Sequence, residues 1–155
     1  MAPPEFKRIA VAVDGSPHGS LALDYAIDLA HRYQSQLSVL AIAPIQPVYA
    51  LPNEPFTTAA IPISDLPRYQ KIVEEAVARA EKAGVSAVTG LCEDGVVVDE
   101  ILAFLELHPT DLLVIGSRGL SAARRLLLGS VSTAMVTHAP CPVLVVRGAA
   151  TTRAP

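Results

Sequence analysis

Residues 112–119 of the chain read Leu-Leu-Val-Ile-Gly-Ser-Arg-Gly. The four aliphatic residues do not alternate with polar ones, which is typical of a strand covered on both faces in a parallel sheet. A second run of this kind, Val143–Val146, follows Pro142. Because such strands need helices on both sides of the sheet, these two runs predict an α/β protein.

The remaining sequence alternates predicted strands with predicted helices. Apolar runs bounded by turn residues predict strands at 6–13, 37–43, 85–92, 112–115 and 143–146. Apolar residues at helical spacing predict helices at 17–33, after a cap at Ser16, and at 66–84, 98–108 and 130–138. This order predicts a parallel sheet with right-handed crossovers and helices on both faces. Ligands of such sheets bind beyond the carboxyl ends of the strands near the switch in strand order, which directs attention to the loops after the first and fourth strands.

One segment does not fit the alternation. Six prolines fall between Pro44 and Pro67, a composition that rules out a helix or central strand there and predicts a long excursion from the core. At 155 residues the chain is expected to be a single domain, 1–155, with 44–67 as a proline-rich loop and 148–155 as a flexible tail.

The composition excludes several classes of protein. Hydrophobic residues make up 51% and charged residues 17% of the chain, unlike a disordered segment or a basic nucleic-acid-binding domain. Two uncharged stretches, 33–53 and 126–146, are long enough to span a bilayer but are broken by prolines and polar residues. Residues 1–8 lack the apolar run of a secretory signal. We therefore expect a cytoplasmic protein without membrane insertion, in which Cys92 and Cys141 are reduced and buried.

The charge is distributed unevenly along the chain. The formal net charge is −3, but no Asp or Glu follows Asp111. Five arginines give that last segment +5, so the first 111 residues, with 7 basic and 15 acidic side chains, carry −8. A basic end of this kind favours an anionic ligand, although a short apolar segment can also lack acids by chance.

The most informative segment is a loop between the fourth strand and the fourth helix. It reads Gly116-Ser117-Arg118-Gly119, nine further residues, then Gly129-Ser130-Val131-Ser132. Gly116 directly after a strand allows positive φ and close approach of the backbone to a ligand. Gly129-Ser130 opens a helix whose free N–H groups favour phosphate, and the Ser130 and Ser132 hydroxyls can donate to phosphate oxygens. Arg118, Arg124 and Arg125 add positive charge nearby.

Other phosphate-binding motifs are absent from the sequence. No GxxxxGK[ST] or GxGxxG occurs, which excludes a P-loop NTPase and argues against dinucleotide binding and a protein kinase. The glycines could also be ordinary residues of a loop between strand and helix. Likewise Asp14, in the sequence Asp-Gly-Ser-Pro, could be only a turn residue.

At this point the chain resembles a known family. The motif G-x2-G-x9-G-S, the residues Val-Ala-Val-Asp-Gly-Ser at 11–16 and Pro-Cys-Pro-Val-Leu-Val-Val at 140–146 look like those of universal stress proteins of the nucleotide-binding subclass. The resemblance covers nearly the whole chain. It implies a five-stranded parallel α/β sheet of order 3-2-1-4-5, Rossmann-like and adenine-nucleotide alpha-hydrolase-like. It also implies binding of ATP or another adenine nucleotide, often with Mg²⁺ or Mn²⁺ at the phosphates, and a homodimer.

The resemblance further implies which residues line the nucleotide site. Ala12 and Asp14 would border the nucleoside, with Asp14 near the ribose or metal, and Ile42 at the end of the second strand would touch adenine. Two segments would wrap the ribose and phosphates: Gly116, Ser117, Arg118, Gly119, Leu120, Ser121 and Ala122, then Gly129, Ser130, Val131 and Ser132. The resemblance also places Val143–Val146 at a sheet edge, where an uncovered apolar strand is an aggregation hazard, so this strand is expected to form the dimer contact.

Histidine and cysteine supply weaker candidates. His138 and Cys141 lie close in sequence, but two ligands without a second pair make a poor zinc site. Cys141 is instead predicted to be a small buried residue and His138 to end a helix. His18 lies near the end of the first strand and could approach a ligand, although a surface residue in the first helical turn is the commoner role.

Three functions remain open on the sequence alone. The first is an ATP-binding stress or signalling protein whose nucleotide occupancy modulates binding to a protein partner or oligomeric state. It is favoured because no nucleophile and base stand at a recognisable spacing. The second is a weak ATP hydrolase in which Asp14 holds a metal and Arg118 stabilises phosphate charge. The third is a nucleotide-independent interaction module that uses the segment 44–67 for docking.

Overall fold

The structure, a computed structural model, describes residue 1 and residues 4–48, 61–119 and 128–148. Its elements in chain order are β1 (Arg8–Ala12), α1 (Pro17–Tyr33), β2 (Gln36–Pro44), β3 (Gln46–Val48), β4 (Ile61–Ile63), α2 (Leu66–Lys82), β5 (Ala87–Gly95), α3 (Val97–Leu107), β6 (Leu112–Gly116), α4 (Ser130–His138) and β7 (Val143–Val146).

Five strands form the main sheet. All of their pairings are parallel and their order is β5-β2-β1-β6-β7. If only these five strands are numbered along the chain, the order becomes 3-2-1-4-5. The prediction of a five-stranded parallel sheet in this order, with helices on both faces, is therefore confirmed.

The two faces of the sheet carry separate apolar clusters. Ile9, Val11 and Val114 point to one cluster, together with buried residues of α1 and α2. Leu113 and Ile115 point to the other cluster, which α3 and α4 cover. Neighbouring residues of β6 alternate between the clusters and all are buried, which explains why its sequence shows no polar alternation.

Helix α1 follows the start signals in its sequence. Ser16 is the N-cap and its side chain accepts a hydrogen bond from Gly19 N at 3.0 Å, while Pro17 occupies the first turn. Both features suit a helix start, because a hydroxyl satisfies a free N–H and proline needs none. The helix ends at Tyr33, and Gln34 adopts a left-handed conformation with φ of 52°. The start and end predicted for this helix agree with the structure.

The third strand of the main sheet lies further along the chain than predicted. The predicted range was 85–92, whereas β5 runs from Ala87 to Gly95. Val85 N instead donates to Ala80 O at 3.1 Å, so this residue belongs to the turn that ends α2. Gly95, predicted as a turn, is the last paired residue, opposite Pro44 of β2. The apolar run therefore located the strand, but the helix end and the longer β2 set its boundaries.

The proline-rich segment contains a small piece of sheet. β3 and β4 pair antiparallel, with Pro47 opposite Pro62. Two residues without an N–H can face each other in such a ladder at a position that needs no hydrogen bond. A two-stranded ribbon outside the main sheet agrees with the predicted excursion, although no pattern in the sequence indicated the ribbon itself. Residues 49–60 of this segment and the tail beyond Gly148 lie outside the described residues.

Both cysteines are free thiols, as expected, but neither is fully buried. Cys92 lies on β5 and Cys141 just before β7, the two outer strands of the sheet, each of which has a neighbouring strand on one side only among the described residues. The prediction of buried thiols is therefore wrong in degree. Partial burial raises the pKa of each thiol above its ordinary value. None of the helices in the described part of the chain is long and apolar enough to cross a membrane.

An ion pair joins the amino ends of β1 and β6. Arg8 N donates to Asp111 Oδ2 at 2.8 Å, and the Arg8 guanidinium donates to Asp111 Oδ1, also at 2.8 Å. Hydrogen bonding from the Arg8 side chain holds the pKa of Asp111 below its usual range. A carboxyl group whose pKa is depressed by folding stabilises the native state while it is ionised.

We expect this contribution to disappear in acid. It is fully present above the unfolded-state pKa of about 4 and is lost as the pH falls through the lower folded-state value. Asp111→Asn should therefore lower the free energy of unfolding at pH 7 and flatten its dependence on pH below about 4. Urea denaturation at several pH values measures both. Parallel curves for the two proteins would contradict a depressed pKa of Asp111.

Candidate functional site

The candidate site lies at the carboxyl ends of β1 and β6, the two central strands around which the strand order switches. β1 leads through α1 to β2 on one side, whereas β6 leads through α4 to β7 on the other. Ala12 is paired with Ile115 at this edge. The loops that leave the two strands therefore start side by side, as the sequence predicted.

Ser117 joins the separate parts of the loop motif. Its N–H donates to Val146 O at 2.8 Å, and its carbonyl oxygen accepts from Gly129 N at 2.7 Å. The hydroxyl of Ser132 also lies 3.2 Å from that carbonyl oxygen. These contacts bring the first residues of α4 against the end of β6, although twelve positions separate Ser117 from Gly129.

His18 connects the same loop to α1. Its Nδ1 lies 3.1 Å from Ser117 Oγ, so the two atoms share a hydrogen bond. Ser117 is only 5% exposed, and His18 is partly buried. His18 is thus a contact residue of the candidate loop, beyond the surface role that its position suggested. The sequence placed it near the end of β1 but gave no sign of its contact with Ser117, which is 99 positions away.

Gly116 is required for a reason that the sequence did not indicate. It is absent from the positive-φ glycines of the described chain, which are Gly15, Gly84 and Gly95. A Cβ at Gly116 would instead lie 2.8 Å from the backbone C and O of His18. The first turn of α1 packs directly on the backbone of β6, so a side chain has no room there. The expectation of a positive φ is wrong for Gly116.

The carboxylate of Asp14 sits between two glycines. Its Oδ1 accepts from Ser16 N at 2.9 Å, which is the turn role weighed for it from the sequence. A Cβ at Gly19 would lie 2.9 Å from Oδ1, and one at Gly119 would lie 2.7 Å from Oδ2. Asp14 therefore borders both the start of α1 and the loop after β6, and its side chain is held in one place.

The amino end of α4 is the second half of the motif. Gly129 is the N-cap, and Thr133 N donates to its carbonyl oxygen at 3.0 Å. The N–H groups of residues 130–132 come before this first helical bond, which is the usual anion-binding feature of a helix start. Ser130 is exposed and Arg118, on the facing loop, is partly exposed.

Ser132 differs from Ser130 in its surroundings. It is 2% exposed, and its hydroxyl lies 3.0 Å from Gly129 O and 3.2 Å from Ser117 O. A hydroxyl satisfied by these carbonyl groups stabilises the loop. In this structure Ser132 therefore positions the backbone, while Ser130 lies open to solvent.

The residues expected on the nucleoside side of the site differ in how deeply they are buried. Ala12 is partly buried at the end of β1, whereas Ile42 is 5% exposed and packs in the cluster that contains Ile115. Ile42 is not at the end of its strand, because β2 continues to Pro44. Leu120, Ser121 and Ala122, together with Arg124 and Arg125, lie outside the described residues.

No metal centre of protein ligands alone is found in the described ranges. There, no group of three or more His, Cys, Asp or Glu side chains could hold a metal ion. His138 ends α4 as predicted.

These features define a class: a doubly wound parallel α/β protein with a glycine-containing loop and a helix start at its switch point. The chain belongs to the universal stress protein family, whose family model matches residues 5–147. The family prediction is therefore confirmed.

Several relatives and solved structures are similar to this chain over most of their length. Universal stress protein MJ0531 of Methanocaldococcus jannaschii is 33% identical over 144 residues, which cover 92% of this chain and 82% of that protein. Universal stress protein YxiE of Bacillus subtilis is 34% identical over 148 residues, covering 92% and 99%. The crystal structure of a universal stress protein in complex with cAMP matches with a TM-score of 0.67 and 26% identity, covering 92% and 98%.

We expect alanine to be tolerated differently at Gly116, which precedes Ser117, and at Gly129, which is hydrogen-bonded to it. Gly116→Ala puts a Cβ against the backbone of α1 and should lower the free energy of unfolding by about 1–3 kcal/mol. At Gly129 the nearest atom to a Cβ is Ser117 O at 3.4 Å, an ordinary contact. Gly129→Ala should therefore stay within about 1 kcal/mol of the parent protein. Urea denaturation followed by circular dichroism measures both, and equal losses would contradict this packing.

Proposed function

We propose that this protein binds an adenine nucleotide, with ATP as the principal candidate, in the loop between β6 and α4, and that it acts in the cytoplasm. In this proposal, nucleotide occupancy changes its oligomeric state or its binding to a protein partner during stress. The observation that carries the proposal is the pair of hydrogen bonds at Ser117 O, which hold the amino end of α4 against the end of β6.

The charge of this region supports an anionic ligand. Arg118 lies on the loop that faces the start of α4, and the chain has no acidic residue after Asp111. Backbone N–H groups, a helix dipole and a guanidinium all favour phosphate oxygens. The G-x2-G-x9-G-S motif, typical of the nucleotide-binding subclass, points the same way. So does the similar structure determined in complex with cAMP.

Each side of the nucleotide would meet a different part of the site. The ribose and phosphates would contact the two glycine segments, residues 116–122 and 129–132, with Ser132 acting on the loop more than on the ligand. Ala12 and Asp14 would border the nucleoside. Ile42 would contribute only the small part of its side chain that the core leaves exposed. Mg²⁺ or Mn²⁺, where bound, would be carried by the phosphates beside Asp14.

We propose binding as the main activity, with ATP hydrolysis slow at most. Asp14 already accepts a hydrogen bond from Ser16 N, which suits a residue that shapes the site. Hydrolysis would also need a base that activates water. Measured phosphate release above background that is lost in Asp14→Ala would identify a weak hydrolase instead.

Titration calorimetry with ATP tests the site directly. The parent protein should bind ATP below millimolar concentration and unfold at a higher temperature when ATP is present. Gly129→Val should abolish binding, because a Cβ there already lies 3.4 Å from Ser117 O and 3.6 Å from Arg118 Cα, so the two added methyl groups would displace the loop that is proposed to hold the phosphates. Arg118→Ala should weaken binding about tenfold through loss of one charged contact.

The matched control is Arg68→Ala, which removes an exposed arginine on α2. Its ATP affinity should equal that of the parent protein. Circular dichroism must show that all three variants are folded. An affinity in Gly129→Val and Arg118→Ala equal to that of the parent would refute the loop as the site, and no binding by the parent would refute the function.

We also propose that the protein forms a homodimer through β7. This strand is an edge of the sheet, and Val143, Leu144 and Val145 are only partly buried. Leu113 N donates to Pro142 O and Ser117 N to Val146 O. Since residues of a parallel strand alternate in the direction of their hydrogen bonds, Val143 and Val145 direct theirs away from β6.

Light scattering after size-exclusion chromatography tests this contact. The parent protein should have the mass of a dimer at micromolar concentration. Val145→Pro removes an outward N–H without removing a bond to β6, so it should give a folded monomer. A parent protein that is monomeric, or a variant that remains dimeric, would exclude this interface.

A further inference from the structure

The opposite edge of the sheet is formed by β5 and is longer than the edge formed by β7. β5 has nine residues, and β2 is its only partner strand in the part of the chain that the structure describes. Its register with β2 is continuous from Gln36↔Ala87 to Pro44↔Gly95, without a bulge. The strand also contains no proline or lysine. Bulges, prolines and charged side chains, lysine above all, are the usual devices that keep another strand from pairing with an edge. Of these devices, β5 has only the acidic Glu93 and Asp94 near its end.

The direction of the free backbone groups follows from one hydrogen bond. Ile45 N donates to Gly95 O at 3.3 Å, so Gly95 directs its carbonyl toward β2. Because direction alternates along a parallel strand, Gly90 and Cys92 direct their N–H and C=O groups away from β2. The outer edge of β5 therefore offers a ladder of donors and acceptors to a further strand.

A groove of about 440 Å³ lies directly beside this edge, between β5 and α2. The side chains of Val73, Val77 and Cys92 line it with apolar surface. Gly90 forms part of its floor, where α2 packs closely on β5, since a Cβ there would lie 2.4 Å from Val73 Cγ1. The two residues of β5 that line the groove are Gly90 and Cys92. They are also residues whose backbone N–H and C=O groups point away from β2.

The charged residues that line the groove are both acidic. Glu74 and Glu81 are exposed on α2, and neither forms an ion pair with another described residue. Glu93 is exposed near the end of β5. Among the described residues, neither lysine nor arginine lines the groove. Lys71 lies 3.8 Å from Glu75, which is not a lining residue.

We propose that the outer edge of β5 binds an extended, basic segment of a partner protein, which adds to the sheet as a sixth strand. Alternate side chains of that segment enter the groove under α2, where a lysine or arginine meets Glu74 and Glu81. Main-chain hydrogen bonds supply affinity and the acidic rim supplies the preference for basic sequences. A second copy of this chain fits poorly, because pairing β5 with β5 brings acidic edges together.

A synthetic nine-residue peptide in which valine and lysine alternate is the probe. Fluorescence anisotropy of the labelled peptide should show saturable binding that weakens as salt is added. A peptide with glutamate in place of lysine should not bind. A peptide with the same side chains but methylated backbone nitrogens should lose binding, because it cannot donate to the edge. Equal binding of the methylated peptide would overturn strand addition in favour of general charge attraction.

Charge reversal on α2 tests whether the peptide binds at the groove. The double variant Glu74→Lys with Glu81→Lys should weaken peptide binding by about tenfold or more, since two attractions become repulsions. Glu75→Lys is the matched control: it changes the same charge on the same helix outside the groove and should bind like the parent protein. Equal weakening by the control would overturn the assignment to the groove.

The alkylation rates of the two cysteines locate the bound peptide independently of the charge variants. Cys92 lines the groove, whereas Cys141 precedes the strand at the other edge of the sheet. Saturating peptide should slow alkylation of Cys92 by N-ethylmaleimide and leave the rate at Cys141 unchanged, as read by mass spectrometry. Protection of both thiols, or of neither, would overturn the proposal. ATP is absent from all of these measurements, so their outcome is separate from that of the proposed nucleotide site.

Discussion

The direct contact between the backbone of Gly116 and the first turn of α1 governs the geometry of this protein. A Cβ at that position would lie 2.8 Å from the His18 backbone, so the helix rests on the strand with no side chain between them. This contact brings His18 within reach of Ser117, and Ser117 in turn holds Gly129 and Val146. The start of α1, the end of β6, the start of α4 and the end of β7 therefore form one connected corner.

Much of the fold could be predicted from the sequence because its elements are strongly patterned. α4 and β7 begin and end where the sequence placed them, and Ser16 caps α1. The boundaries of β5 could not be predicted, because they depend on how far β2 extends to pair with Gly95. The local sequence determines the propensity of a segment for helix or strand and its hydrophobic periodicity. The register of a strand is set by its pairing with another strand elsewhere in the chain.

The candidate site was predictable in its place but not in its contacts. Gly116 and Gly129 marked the loop and the helix start, and the structure brings them to the same edge. The reason for Gly116 is packing against His18, and the Ser132 hydroxyl is turned inward to Ser117 and Gly129. Both depend on residues distant in sequence, so the composition of the loop alone could not distinguish a residue that meets a ligand from one that supports it.

The hydrogen bond from Ser117 N to Val146 O joins the loop to the last residue of an edge strand. Any ligand that fixes Ser117 thereby restricts β7, and any molecule that pairs with β7 restricts Ser117. Where two binding equilibria are coupled through one structural element, each must change the other by the same factor. The proposed nucleotide site and the proposed dimer contact lie on opposite sides of this one bond, which would let each regulate the other without a change of fold.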